Sequence, residues 1–121
     1  MAGSEQGFGG DEGPAIRAKL DSPTAVAVDR EGNVFIADNN NHRIRKVATN
    51  GKITTVAGSD EPGFSGDCGK AIDARLKKPY GVRVEQGGSL LIADQGNERV
   101  RLVSREGTIT TGDRAPESGL V

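Results

Sequence analysis

The chain has 121 residues, enough for one small domain, and 34% of them are hydrophobic. Four aromatic side chains (Phe8, Phe35, Phe64 and Tyr80) and 18 glycines leave little large apolar volume, so stacking of repeated units or of chains would help such a core. A formal net charge of −1 excludes a broad electrostatic pull toward nucleic acid or anionic membrane, and a single cysteine excludes an internal disulfide.

In chain order, residues 1–6 read as an N-terminal tail without the basic start and apolar stretch of a secretory signal. A Gly-rich link, "GFGGDEGPAIRAKL" (7–20), follows, with a short helical candidate over 14–20. Four strands are predicted next: "TAVAV" (24–28), "NVFIA" (33–37), "RIRKV" (43–47) and "KITTVA" (52–57). The first two are nearly all apolar, which predicts that both of their faces are covered. The third alternates basic and apolar residues, which predicts an outer strand with a solvated stripe. A second Gly-rich link (58–79) leads to strands at 81–84, 89–93, 99–103 and 108–110. The last is shorter than its counterpart, Val56 and Ala57 being without equivalents, and 112–121 reads as a polar C-terminal tail. No apolar run approaches the length of a membrane span.

The two halves are one unit written twice. "FIADNNNHRIRKV" (35–47) returns 56 residues later as "LIADQGNERVRLV" (91–103), and 7–55 lies over 63–111 without a gap, with about half of the positions identical. The units are bounded as 7–58 and 59–111, each a link followed by a four-stranded antiparallel meander. Turn chemistry supports this. Asn50-Gly51 suits the positive-φ pair of a tight hairpin, and Gly32 and Gly88 close the loops between first and second strands. Asp38 and Asp94 end a strand and are expected to accept backbone hydrogens of the following loop, while Asn41 and Asn97 tolerate left-handed backbone there. Pro23 and Pro79 stand just before each first strand. Val26, Val28, Ile36, Val82, Val84 and Ile92 are expected to fill the space between the two sheets. The fold class is therefore all-β, with four-stranded units in tandem suggesting propeller blades.

"SPTAVAVDREGNVFIADNNNHRIRKV" (22–47) resembles the NHL repeat, with Asn41-His42 at the first two letters of its Asn-His-Leu signature and Asn97-Glu98 in the second copy. The links resemble the longer variety of bacterial and teneurin-like NHL repeats. The resemblance implies a six-bladed β-propeller, of which this chain holds about two blades. It is then an incomplete propeller: a fragment, or a subunit that closes its ring by association, three two-blade chains making six.

Candidate chemistry is sparse. His42 is replaced by Glu98 in the second copy, which favours a loop role over a base or metal ligand. One Asp per loop at 38 and 94 is thin for calcium, and Asp11 and Asp67 lack the spacing of an EF-hand, so they read as link-turn residues. Cys68 aligns with Glu12 and reads as a bystander thiol. "GFGGDEG" lacks the Lys-Ser/Thr of a phosphate loop. Arg43, Arg45, Arg99 and Arg101 form a basic stripe, the one candidate binding surface, and some NHL propellers bind RNA through such a face. Within the third strands themselves no aromatic stands ready to stack on bases. The reading is a non-enzymatic protein-interaction or structural module, with no catalytic residue, no metal, no cofactor and no membrane contact. Its partner is a protein of unknown identity, or further copies of the chain as a trimer. The alternatives are RNA binding through the third strands, or a hydrolase or lyase completed by other blades. A lone thiol fits a reducing compartment without fixing one.

Overall fold

The structure, a computed structural model, describes residues 5–15, 18–59, 61–65 and 67–114, with the backbone alone at 5, 6, 113 and 114. Ten strands follow one another: β1 (Glu5–Gln6), β2 (Lys19–Leu20), β3 (Pro23–Val28), β4 (Val34–Asp38), β5 (Arg43–Val47), β6 (Ile53–Ala57), β7 (Gly81–Val84), β8 (Leu90–Asp94), β9 (Arg99–Val103) and β10 (Ile109–Arg114). They form two four-stranded antiparallel sheets, β3-β4-β5-β6 and β7-β8-β9-β10, and a short parallel pair β1-β2. The all-β class and the pair of meanders stand as expected. The third strands, β5 and β9, lie inside their sheets, because β6 and β10 pair beyond them. The expected outer strand is therefore an inner one.

The loops between strands are set by small side chains. Asp29 takes the N–H groups of Glu31 and Asn33 on Oδ1 at 3.0 and 2.9 Å, and Gly32 supplies φ 93° in that loop. At Asn50-Gly51 only Gly51 has positive φ, while Asn50 Oδ1 accepts from Lys52 N–H at 3.0 Å, so one left-handed residue rather than a pair closes the hairpin. Of the helical candidate at 14–20, residues 16 and 17 lie outside the described ones. Pro14 forms a β-bridge to Lys52, and Lys19–Leu20 is strand. The last strand does not stop at 110. It runs to Arg114 with a register shift between Thr111 and Arg114, so three residues expected in the polar tail belong to the sheet. Residues 115–121 lie outside the described ones.

Each link folds back on the blade it precedes. Glu12 N–H donates to Ile53 O at 2.7 Å and Ile53 N–H to Gly13 O at 3.0 Å. Fifty-six residues on, Cys68 and Ile109 with Gly69 repeat the pair at 2.7 and 3.0 Å. The outer strand of each sheet thus starts with its edge occupied, which blunts a surface prone to pairing with other chains.

Register decides which side chains meet. Val26, Ile36, Arg45 and Thr55 stand in one row across the first sheet, and Val28, Val34, Val47 and Ile53 in the next, all on one face. Ala25, Ala37, Ile44 and Ala57, with Ala27 and Phe35, take the other face. That second face packs on the second sheet's Val82, Ile92, Leu90, Val103 and Ile109, with Ala71, Ala74 and Leu76 of the second link between them. Burying the core's branched side chains contributes about 1.5–3 kcal/mol each. Val82, Val84 and Ile92 do fill the space between sheets, and Ile36 is buried on the first sheet's far face. Val26 and Val28 do not, since they point away from the second sheet and are 65% and 60% exposed. The expectation that the first strand is covered on both faces therefore holds for neither of them.

Candidate functional site

The residues that looked like chemistry converge on a buried staple, built twice. In the first blade the Asp38 carboxylate, fully buried at the end of β4, accepts from Asp21 N–H at 2.7 Å, from Asn41 Nδ2 at 2.9 Å and from Arg45 Nη1 at 3.2 Å. Arg45, also fully buried, reaches outward from β5. Its Nε and Nη2 donate to Asp11 Oδ1 at 3.1 and 2.6 Å, and its Nη1 and Nη2 to the carbonyls of Lys19 and Gly9 at 3.0 and 3.1 Å. Thr55 donates to Asp11 Oδ2 at 2.5 Å, and Asn41 Nδ2 also reaches Gly7 O at 2.6 Å. Phe8 caps the cluster, with the Arg43 and Arg45 guanidinium carbons 3.7 and 4.7 Å from its ring centre.

The second blade repeats this residue for residue. Asp94 accepts from Lys77 N–H, Asn97 Nδ2 and Arg101 Nη1 at 2.7, 2.8 and 3.4 Å. Arg101 donates to Arg75 O, Ser65 O and Asp67 Oδ1 at 3.1, 2.7 and 3.1 Å, Thr111 reaches the same Asp67 oxygen at 2.8 Å, and Asn97 holds Gly63 O at 2.7 Å. This copy is looser. Arg101 Nε is buried without a hydrogen-bond partner, and burial pushes the Asp94 carboxyl above the usual carboxylate range despite its donors.

Arg45 and Arg101 are inside, their guanidinium groups spent on carboxylates and carbonyls, with every nitrogen of Arg45 and both terminal nitrogens of Arg101 partnered. Arg43 is also buried. Arg99 alone of the four keeps intermediate exposure, so no basic stripe faces solvent along β5 and β9. Asp38 and Asp94 take their backbone N–H from 17 residues upstream rather than from the loop that follows, and hold that loop through the side chains of Asn41 and Asn97. The left-handed residues of those loops are His42 and Glu98, at φ 59° and 55°, not Asn41 and Asn97. Asp11, Asp67, Thr55 and Thr111 are the staple's outer members. The signal for them was in the repeat: charges of both signs survive at 11/67, 38/94 and 45/101, while Lys46 becomes Leu102 and His42 becomes Glu98.

His42 clasps the neighbouring blade. Its Nδ1 accepts from Lys78 N–H at 3.0 Å, beside Asn39 Nδ2 to Pro79 O at 3.0 Å and Thr24 Oγ1 to Tyr80 O at 2.7 Å. Burial, then the Lys78 and Arg43 charges, holds its imidazole below the ordinary histidine value. At the opposite end of the sheets a groove of about 710 Å³ opens between the blades, with Phe35, Val56 and Val84 in its floor and Glu31, Glu85 and Arg105 on its rim. Among the described residues no group of three or more metal-ligating side chains converges, and no helix is long and apolar enough to cross a membrane.

The family described as the teneurin NHL domain matches residues 3–64, just over half of the chain. The chain belongs to that family. Human Teneurin-1 is 39% identical to it in an alignment 104 positions long that covers 75% of this chain and 4% of that protein. This NHL chain thus spans a small fraction of the curated relatives it matches. A solved structure of a protein of unknown function from Bacteroides thetaiotaomicron superposes with a TM-score of 0.75 at 23% identity, over 92% of this chain and 26% of that one. Virginiamycin B lyase from Staphylococcus aureus gives 0.56 at 17% identity, over 78% and 28%. Likeness at this identity shows the fold, and the fold is that of NHL propeller blades.

Proposed function

We propose that the chain is a non-enzymatic NHL propeller segment that works as a protein-interaction or structural module. One observation carries this reading: the polar signature of each repeat is consumed inside the blade. Asp38, Asn41, Arg45 and Asp11, like Asp94, Asn97, Arg101 and Asp67, satisfy one another and backbone carbonyls, so the residues retained between the two copies serve the fold. What remains for a partner is shape and surface. The inter-blade groove has an apolar floor and a rim of both signs, a lining suited to an extended polypeptide. The RNA reading loses support from the burial of Arg45 and Arg101. The enzyme reading leans on a lyase that shares only the fold.

A photo-crosslinking amino acid in place of Ile72, a half-exposed side chain on the groove, tests the reading in the source cells. Crosslinks to polypeptide are expected. Crosslinks to RNA in their place, or salt-steep RNA affinity abolished by Arg99→Ala, would overturn it.

A further inference from the structure

The contact between the two blades is a template for a contact between chains. Val26 and Val28 of β3 correspond, 56 residues on, to Val82 and Val84 of β7. Their side chains and registers match, yet Val26 is 65% exposed and Val82 8%, because the first sheet's Ala25, Ala27 and Phe35 cover only the second pair. The surface that does the covering also has a second copy. Gly81, Leu91 and Leu102 stand on β7, β8 and β9 where Ala25, Phe35 and Lys46 stand on β3, β4 and β5, and Leu102 is exposed. Arg83, in the place of Ala27, is drawn along its strand to Glu85 at 3.0 Å. Lys46 to Leu102 adds apolar surface to this copy of the covering face, opposite the exchange of Ala27 for Arg83.

The clasp repeats as well. Asn39 and His42 hold Pro79 O and Lys78 N–H of the strand that leads into the second blade. Gln95 and Glu98 occupy the same two loop positions in the second blade, both exposed, and Glu98 has His42's left-handed backbone. A Gln amide donates to a carbonyl as Asn does, and a carboxylate accepts from an N–H as imidazole Nδ1 does. The groups they match are Pro23 O and Ser22 N–H, the counterparts of Pro79 and Lys78. Among the described residues no side chain clasps either of these.

We infer that two copies of this chain join head to tail, the Leu91/Leu102 face of one seated on the Val26/Val28 face of the next. In that contact Gln95 and Glu98 of the first copy clasp Pro23 and Ser22 of the second. It rests on the interaction-module reading and names its partner as a second copy. The contact is heterologous, so it closes into a ring or runs on, according to the rotation between blades.

The test uses the full chain under reducing conditions, with molar mass measured by light scattering after size exclusion over a range of loadings. Wild type is expected above its 12.6 kDa monomer mass. Val26→Glu removes one face and Leu102→Glu the other. Each is expected to run as a monomer with unchanged circular dichroism, and a mixture of the two to form a 1:1 dimer, since each keeps the face the other lost. Gln95→Ala and Glu98→Ala truncate exposed loop side chains, and each is expected to weaken association about five- to tenfold, the worth of one hydrogen bond, with unchanged circular dichroism. Monomeric wild type at every loading, or variants that fail to complement, would overturn the inference. Polypeptide crosslinks at position 72 would then leave the broader reading standing, and their loss as well would remove both.

Discussion

At the scale of single residues, Arg45 shows how a charge that looks like a ligand site becomes a structural member. Its guanidinium is fully buried, and all three nitrogens have acceptors. Removing one partner of a buried pair leaves the other charge uncompensated, at a cost of about 3–5 kcal/mol. Asp38→Asn is expected to destabilise by an amount in that range, measured by urea unfolding. Asp94→Asn is expected to cost less, because burial already disfavours the Asp94 charge and Arg101 Nε lacks a partner. His42 adds a pH dependence. Its value is lowered in the folded chain, so the unfolded chain binds the extra proton first, and stability falls as the pH drops through about 6.5 toward the folded value. Asp94 has the opposite sign: raised above 3.8, it takes its proton earlier when folded, so its contribution favours folding as the pH falls toward that value. Melting temperatures between pH 7.5 and 5 should therefore decline in wild type and decline less in His42→Ala, which has no imidazole to protonate.

At the scale of elements, the link is the organising piece. It lies along the outer strand of its own blade, is pinned by the Asp–Arg–Asp staple, and in the second unit supplies Ala71, Ala74 and Leu76 to the core between sheets. Close approach at its start demands Gly58, where a Cβ would stand 2.2 Å from His42 O with φ at 94°. Gly58→Ala is expected to lower stability by about 1–3 kcal/mol through strain in the loop that carries the His42 clasp, which thermal unfolding would measure. Strands, turns and the repeat were legible because period-2 patterning and turn residues are local signals. The burial of β5 and β9 was not, since a strand alternating Arg with Ile looks the same in solvent as it does against buried carboxylates. Asp11 and Asp38, far apart in sequence, had to be seen together to explain Arg45. Exposure of Val26 and Val28 was hidden for a related reason: nothing in the strand itself tells which of two identical faces a neighbour will cover.

At the scale of the molecule, two blades share one core and leave a copy of each of its two surfaces open. The proposed interaction module would act through faces and grooves because its polar signature is internal. The measurement closest to that claim is equilibrium urea unfolding of Arg45→Lys. A lysine keeps the positive charge that an anion-binding surface would use, but it lacks the planar fork that holds Asp38, Asp11 and two carbonyls at once. A loss of ~3 kcal/mol is expected, with a cooperative transition at lower denaturant. Unchanged stability would contradict it and return Arg45 to the list of candidate ligand contacts.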